Sequence, residues 1–224
     1  MDFSLYLVTD RCRGTRAGVP MRSMGQRGSG GIEKLIGKVK AALEGGVKAV
    51  CLREKDLPAR EILTLALRLR QLTSGFNAAL FINSRVDVAL AIRADGIHLG
   101  QNSFSPKDVR PLIGKKTLIG VSAHSIKEAL QAERDGADFV TLGPVYRTPS
   151  KEKYGEPIGL LPLEKASKVL RIPFFGIGGI KKENIKEVLE AGASGVALIS
   201  GILSAKNPEK ATKEIIQELK LNKG

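Results

Sequence analysis

A chain of 224 residues with 42% hydrophobic side chains can bury a sizeable core and falls within the range of one eight-fold β/α barrel. Its net charge of +13, from 36 basic and 23 acidic residues, raises the question of nucleic acid. The low aromatic content (4%), the lack of any nucleic-acid motif and the interleaving of Lys181, Lys182, Lys186, Lys210, Lys213 and Lys220 with glutamates argue instead for a solvated Lys/Glu surface, a pattern also favoured by heat adaptation. No apolar run is long enough to cross a bilayer and MDFSLYLVTD does not read as a signal peptide, so the expectation is a soluble cytoplasmic protein without nucleic-acid or membrane partners.

Phe3–Val8 reads as a strand ending at Thr9-Asp10. Residues 11–31, rich in Gly, Arg and Ser, show no periodicity and read as a long basic loop, either a lid over a site or a disordered segment. Helix Ile32–Glu44 and strand Val47–Leu52 follow, then helix Pro58–Thr73 with proline in its first turn. Strand Ala78–Ile82, helix Val86–Ile92, strand Gly96–Leu99 and a short helix opening at Ser105-Pro106 continue the alternation. Strand Thr117–Val121, helix Ser125–Asp135, strand Phe139–Leu142 and helix Leu161–Leu170 come next. Ile172-Pro173 introduces a seventh strand, helix Lys182–Ala191 and strand Gly195–Ile199 complete the series, and Pro208–Leu219 closes it. Sequential β-then-α units predict a closed parallel TIM (β/α)₈ barrel in a single domain, with a mainly aliphatic core. Cys12 and Cys51 have no metal or redox spacing and read as free thiols.

In such a barrel, chemistry belongs at the C-terminal ends of the strands. Strand two ends in Arg53-Glu54-Lys55-Asp56, strand three in Asn83-Ser84-Arg85 and strand four in His98-Leu99-Gly100-Gln101-Asn102-Ser103. Strand five ends in Ser122-Ala123-His124-Ser125, and strand six runs into Gly143 to Lys151, a loop of hydroxyls and cations. Arg53 and Lys55 suit an anion or form a salt-bridged rim. His98 lies within an apolar strand and reads as a hydrogen-bonded interior side chain. His124 lies just past a strand end, where it reads as a general acid/base or as part of a helix cap. Gly178-Gly179 alone is a tight strand-to-helix turn; paired with Ser200-Gly201 after the next strand, it points to a phosphate seat.

Five segments, YLVTD, GGVKAVCLREKD, FINSRVDVALAIRADGIHLGQ, IGVSAHSIKEALQAERDGADFVTLGPVYRTPSK and IPFFGIGGIKKENIKEVLEAGASGVALISGI, together resemble the thiamine phosphate synthase / TenI superfamily and cover nearly the whole chain. The resemblance implies the TIM barrel and thiamine biosynthesis by one of two chemistries. A synthase joins hydroxymethylpyrimidine diphosphate to a thiazole phosphate and expels pyrophosphate with Mg²⁺; a TenI-like tautomerase moves a proton so that a thiazole carboxylate phosphate becomes aromatic. Carried over by position, Arg53, Lys55, Asn83, Ser122 and Lys151 would hold the pyrimidine diphosphate. Thr148, Ser150, Gly178, Gly179, Ile199 and Ser200 would hold the thiazole phosphate. The family's two Mg²⁺-binding aspartates fall at Ser84 and Ser103 here, and a family glutamine falls at Cys51. The stretch Ser103-Phe104-Ser105-Pro106 and His124 resemble TenI, whereas Thr148-Pro149-Ser150-Lys151 resembles a synthase. The expectation is a TenI-like tautomerase without metal or other cofactor, with His124 as acid/base and a phosphorylated thiazole as its small-molecule partner. The alternatives are a synthase, with Mg²⁺ on a site rebuilt by Asp56 or Glu54, and a non-catalytic thiazole or thiamine phosphate binder. Self-association is common in such barrels, and no residue here specifies an interface.

Overall fold

Eight short parallel strands pair in chain order and the last returns to the first. They are β1 (Leu5–Val8), β2 (Ala49–Leu52), β3 (Ala79–Asn83), β4 (Gly96–Leu99), β5 (Leu118–Ala123), β6 (Phe139–Leu142), β7 (Phe174–Ile177) and β8 (Gly195–Leu198). Closure places Leu5 opposite Val196 and Leu7 opposite Leu198. Between and after the strands run α1 (Gly28–Glu44), α2 (Ala59–Gly75), α3 (Val86–Ala91), α4 (Pro106–Ile113), α5 (Ile126–Arg134), α6 (Leu161–Val169), α7 (Ile185–Glu190), α8 (Ser200–Leu203) and α9 (Pro208–Leu221). The computed structural model describes residues 3–11, 28–148 and 156–222.

The expected TIM barrel is therefore the observed fold, with three local differences. Gly28–Gly31 belongs to α1, so the aperiodic segment is shorter than residues 11–31; residues 12–27 lie outside the described part. The last strand stops at Leu198, and Ile199 precedes a one-turn helix, α8, that the small residues Ser200-Gly201 had suggested as a turn. The helix expected over Lys182–Ala191 divides into a 3₁₀ turn, Lys182–Asn184, and α7.

Caps explain several boundaries. Ser105 and Asp108 form a reciprocal box at the start of α4, and the Ser125 hydroxyl accepts the Glu128 amide at 3.2 Å to open α5. Outer-face lysines pair with glutamates, Lys213 with Glu209 at 2.5 Å and Lys182 with Glu214 at 3.5 Å, as the interleaving predicts. Among the described residues no helix is long and apolar enough to cross a membrane.

Strand residues alternate between two cores. Leu7, Val50, Leu80, Ile82, Ile97, Leu99, Val140 and Leu142 pack outward against the helices, and this layer is aliphatic as expected. The barrel interior differs: Tyr6, Phe81, Phe139 and Phe175 fill it, with Phe3 stacked beneath. The few aromatics are thus concentrated where a closed barrel needs bulk. Phe81 and Phe139 meet edge to face at 5.5 Å, a favoured aromatic geometry. Room for these rings comes from missing side chains on β4 and β5: a Cβ at Gly96 would sit 2.2 Å from the Phe81 ring, and one at Gly120 2.3 Å from that of Phe139.

Overpacking such a core costs about 1–3 kcal/mol. Gly96→Ala is expected to lower the urea midpoint correspondingly, and a midpoint equal to that of the parent chain would show that the Phe81 layer can shift to make room.

Candidate active site

Continuing the inward alternation to the strand ends and past them carries Asp10, Arg53, Asn83, Gly100, Ser122 and His124 to one mouth, followed by Ile177 and Gly179 at and after the end of β7 and Ile199 just after β8. Arg53 is half-buried there. Its Nη1 lies 4.0 Å from Asp10 Oδ2, and its amide donates to Thr9 Oγ1 at 2.9 Å. Lys55 is exposed at the rim. Glu54, of opposite parity, turns inward from solvent and is only 4% exposed. Both of its carboxylate oxygens accept the Arg11 amide, at 3.2 and 3.1 Å, while Arg11 Nη2 reaches Asp56 Oδ2 at 2.5 Å. Burial raises the Glu54 pKa, against the pull of its hydrogen bonds from Thr9 and Arg11.

At the ends of β3 and β4, Ser84 and Ser103 meet. Their hydroxyls lie 2.7 Å apart, Asn83 Nδ2 donates to Ser84 Oγ at 2.9 Å, and the Gly100 amide donates to Ser103 Oγ at 3.0 Å. Ser84 adopts φ of 60°, a left-handed conformation uncommon for residues other than Gly, Asn and Asp. The resemblance places Mg²⁺ at this pair, but neutral hydroxyls committed to one another do not fit a hard cation that binds through carboxylates. The suggested substitutes, Glu54 and Asp56, are both engaged by Arg11. Among the described residues no group of three or more His, Cys, Asp or Glu side chains could hold a metal.

His98 sits inside the barrel as expected. Its Nδ1 is 3.3 Å from the Tyr6 hydroxyl and its Nε2 3.0 Å from Ser122 Oγ, which connects the interior to the mouth. Burial, then the nearby Arg53 charge, pushes its pKa down to about 4, so the ring is neutral. His124 is half-buried. Its amide donates to Glu128 Oε2 at 2.8 Å, and the same oxygen lies 3.4 Å from Nδ1. The capping role falls to Ser125, so His124 is not the helix cap.

On the other side, Gly178 and Gly179 both have positive φ (97° and 67°) and press on the loop after β6. A Cβ at Gly179 would lie 2.7 Å from Tyr146 Cβ. These glycines are therefore required by turn geometry and packing, whatever they bind. Tyr146 is held in turn by its hydroxyl donating to Glu187 at 2.8 Å. Ser200 and Gly201 open α8, and first-turn amides have no intrahelical acceptor. Thr148 is half-buried on the loop after β6, while Ser150 and Lys151 lie outside the described residues, as does Cys12. Cys51 is a free, buried thiol.

The inward parity brings together Arg53, Asn83, Ser122 and His124. Sequence reasoning missed Arg11 as the partner of Glu54 and Asp56, Glu128 as that of His124, and Tyr6 as that of His98. The Glu128 contact, four residues from His124, follows from helical spacing; the other two depend on strand pairing.

A parallel (β/α)₈ barrel with cations, hydroxyls and glycine turns gathered at its C-terminal mouth is the class these features define. The sequence matches the family described as thiamine monophosphate synthase over residues 26–202. It is 48% identical over 216 residues to a putative thiamine-phosphate synthase of Geobacter sulfurreducens, covering 96% of this chain and 94% of that protein. It is 43% identical over 211 residues to the thiamine-phosphate synthase of Roseiflexus castenholzii, covering 94% and 86%. The solved thiamine phosphate pyrophosphorylase of Pyrococcus furiosus superposes with a TM-score of 0.81 at 35% identity, covering 99% of this chain and 97% of that one. The chain belongs to the thiamine monophosphate synthase family. These relatives carry the name of the alternative expectation; none lends support to the tautomerase branch.

A raised carboxyl pKa favours the protonated form in the folded state. The stability that Glu54 contributes is then fully present below the unfolded value, near 4.5, and is lost as pH rises through the higher folded value. The stability of the parent chain relative to Glu54→Gln should therefore fall on going from acid to neutral pH in denaturant titrations. A difference that grows over that interval would mean that Arg11 dominates over burial.

Proposed function

We propose that this chain is a transferase that joins hydroxymethylpyrimidine diphosphate to a thiazole phosphate, forming thiamine phosphate and pyrophosphate. The observation that carries the reading is similarity at 43–48% identity, along almost the full chain, to proteins named for that activity. The mouth is chemically suited to it. In this reading Arg53, Lys55, Asn83 and Ser122, with Lys151, hold the pyrimidine diphosphate. Thr148, Ser150 and the turns at Gly178-Gly179 and Ile199-Ser200 hold the thiazole phosphate. The thiazole nitrogen lone pair forms a bond to the pyrimidine methylene carbon, and the carbon–oxygen bond breaks with its electrons leaving on pyrophosphate. Arg53 and Lys55 offset the charge that develops on the leaving group, the kind of fixed electrostatic aid that favours a transition state. Holding both reactants in one mouth supplies the orientation that a bimolecular displacement needs.

A second reading, thiazole tautomerase, is favoured by the Ser84–Ser103 hydrogen bond, which leaves that site without carboxylates, and by His124 beside Glu128. A proton shift needs an acid/base and a phosphate anchor but no leaving-group stabilisation.

One purified batch decides between them. In one arm it receives pyrimidine diphosphate and thiazole phosphate with Mg²⁺ present, and is scored for thiamine phosphate and pyrophosphate. In the other it receives the non-aromatic thiazole carboxylate phosphate and is followed for aromatisation. Product in the first arm is expected. Product only in the second, lost on His124→Ala, would replace the transferase reading by the tautomerase.

A further inference from the structure

The buried Tyr6–His98 pair has no part in the chemistry above, yet it ends on the Ser122 hydroxyl at the mouth. His98 is 5% exposed, Tyr6 fully enclosed, and both ring nitrogens of His98 have oxygen partners. A neutral imidazole has one donor and one acceptor, so its tautomer couples the two hydroxyls. If Nδ1 carries the hydrogen, it donates to Tyr6, and Ser122 must turn its proton inward to Nε2. The mouth then meets only Ser122 lone pairs. If Nε2 carries the hydrogen, it donates to Ser122 Oγ, and the Ser122 proton remains to be offered outward.

The surroundings select between these. The Tyr6 hydroxyl neighbours two groups, His98 Nδ1 and the buried Cys51 thiol. A phenol is a strong donor, whereas a thiol is both a weak donor and a weak acceptor. An imidazole nitrogen is the stronger acceptor of the two, so the better arrangement has Tyr6 donating to Nδ1. The ring is also fixed in place, packed on Tyr6 at 5.6 Å and on Phe139 at 5.9 Å between centroids. Gly120 leaves the space it occupies, since a Cβ there would lie 2.8 Å from His98 Nδ1.

We propose that His98 is a positioning residue, held by Tyr6 in its Nε2–H form, which makes Ser122 a hydrogen-bond donor toward the mouth and so selects a ligand presenting an acceptor atom there. Resting on the transferase reading, that acceptor is a ring nitrogen of the pyrimidine, whose lone pair an outward-facing donor recognises and an outward-facing acceptor would repel. The device acts on binding of one substrate, not on bond making.

With only two histidines in the chain, ¹⁵N-resolved imidazole NMR of the ligand-free protein reads the tautomer directly. The expected result is Nε2–H for His98 in the parent chain and loss of that preference in Tyr6→Phe, which keeps the ring that fills the barrel. Calorimetric titration of Tyr6→Phe should show affinity for hydroxymethylpyrimidine diphosphate reduced about tenfold, the equivalent of one neutral hydrogen bond, with thiazole phosphate affinity unchanged. An Nδ1–H tautomer in the parent chain, or full pyrimidine affinity in Tyr6→Phe, overturns the proposal. A parent chain that binds no pyrimidine diphosphate overturns the transferase reading instead, and the tautomer, measured without ligand, then decides the donor polarity of Ser122 by itself.

Discussion

Closure of the sheet is the constraint on which the rest of the structure depends. Once β8 pairs with β1, every strand has two neighbours, no edge is left, and each side chain is committed to the interior or to the helices. Parity then does two jobs. Within the strands it sends Leu, Ile and Val outward and the aromatic rings inward. At the strand ends and past them the same alternation delivers Arg53, Asn83, Ser122 and His124 to one opening, although the first and last of them stand 71 positions apart. A slip of one residue in β2 would exchange Arg53 for Glu54, and the cation at the mouth would become a buried carboxylate.

The two serines at the ends of β3 and β4 are where this chain departs most from what its resemblance implies. Their convergence is itself informative. Ser84 and Ser103 stand 19 positions apart, yet the backbone brings their hydroxyls to 2.7 Å, with Ser84 in a left-handed conformation that suits Asp or Asn better than Ser. The scaffold keeps the two positions together while the donor atoms are those of a neutral hydrogen-bonded pair. Charge balance at the mouth then falls to the protein's own cations, Arg53 beside Asp10 and Lys55 at the rim. Full-length similarity to thiamine-phosphate synthases and a carboxylate-free serine pair coexist in one chain, so family membership alone does not fix which groups stand at these strand ends.

Much of the fold was legible because its signals are local. Apolar runs of four to six residues, glycines after helices, and Ser or Pro at helix starts bound the elements to within a few residues, and the strand ends so placed carried the resemblance. What escaped was set by contacts distant in sequence or by single turns. The helix α8 is one turn long and carries no periodicity. The aromatic interior could not be read from 4% content, because composition does not say that Phe81, Phe139 and Phe175 share one layer or that Gly96 and Gly120 make room for them. The Arg11–Glu54 clasp and the Tyr6–His98 bond span 43 and 92 positions and follow only from strand register. Gly178 and Gly179 form the turn expected of them, whereas Ser200-Gly201 opens α8; the two glycines are also demanded by packing against the Pro144–Tyr146 loop, so residue type there reports on the fold before it reports on a ligand.

In the proposed reading the mouth holds two separable phosphate seats, one at the end of β2 and one at the turns after β7 and β8. Calorimetric affinities of the parent chain and Arg53→Ala for hydroxymethylpyrimidine diphosphate and for thiazole phosphate test it most directly. Loss of one charge-assisted contact, worth about 1.5–3 kcal/mol, predicts a drop of tenfold or more for the diphosphate alone. Equal weakening of both ligands, or of neither, would contradict the assignment of the diphosphate to Arg53.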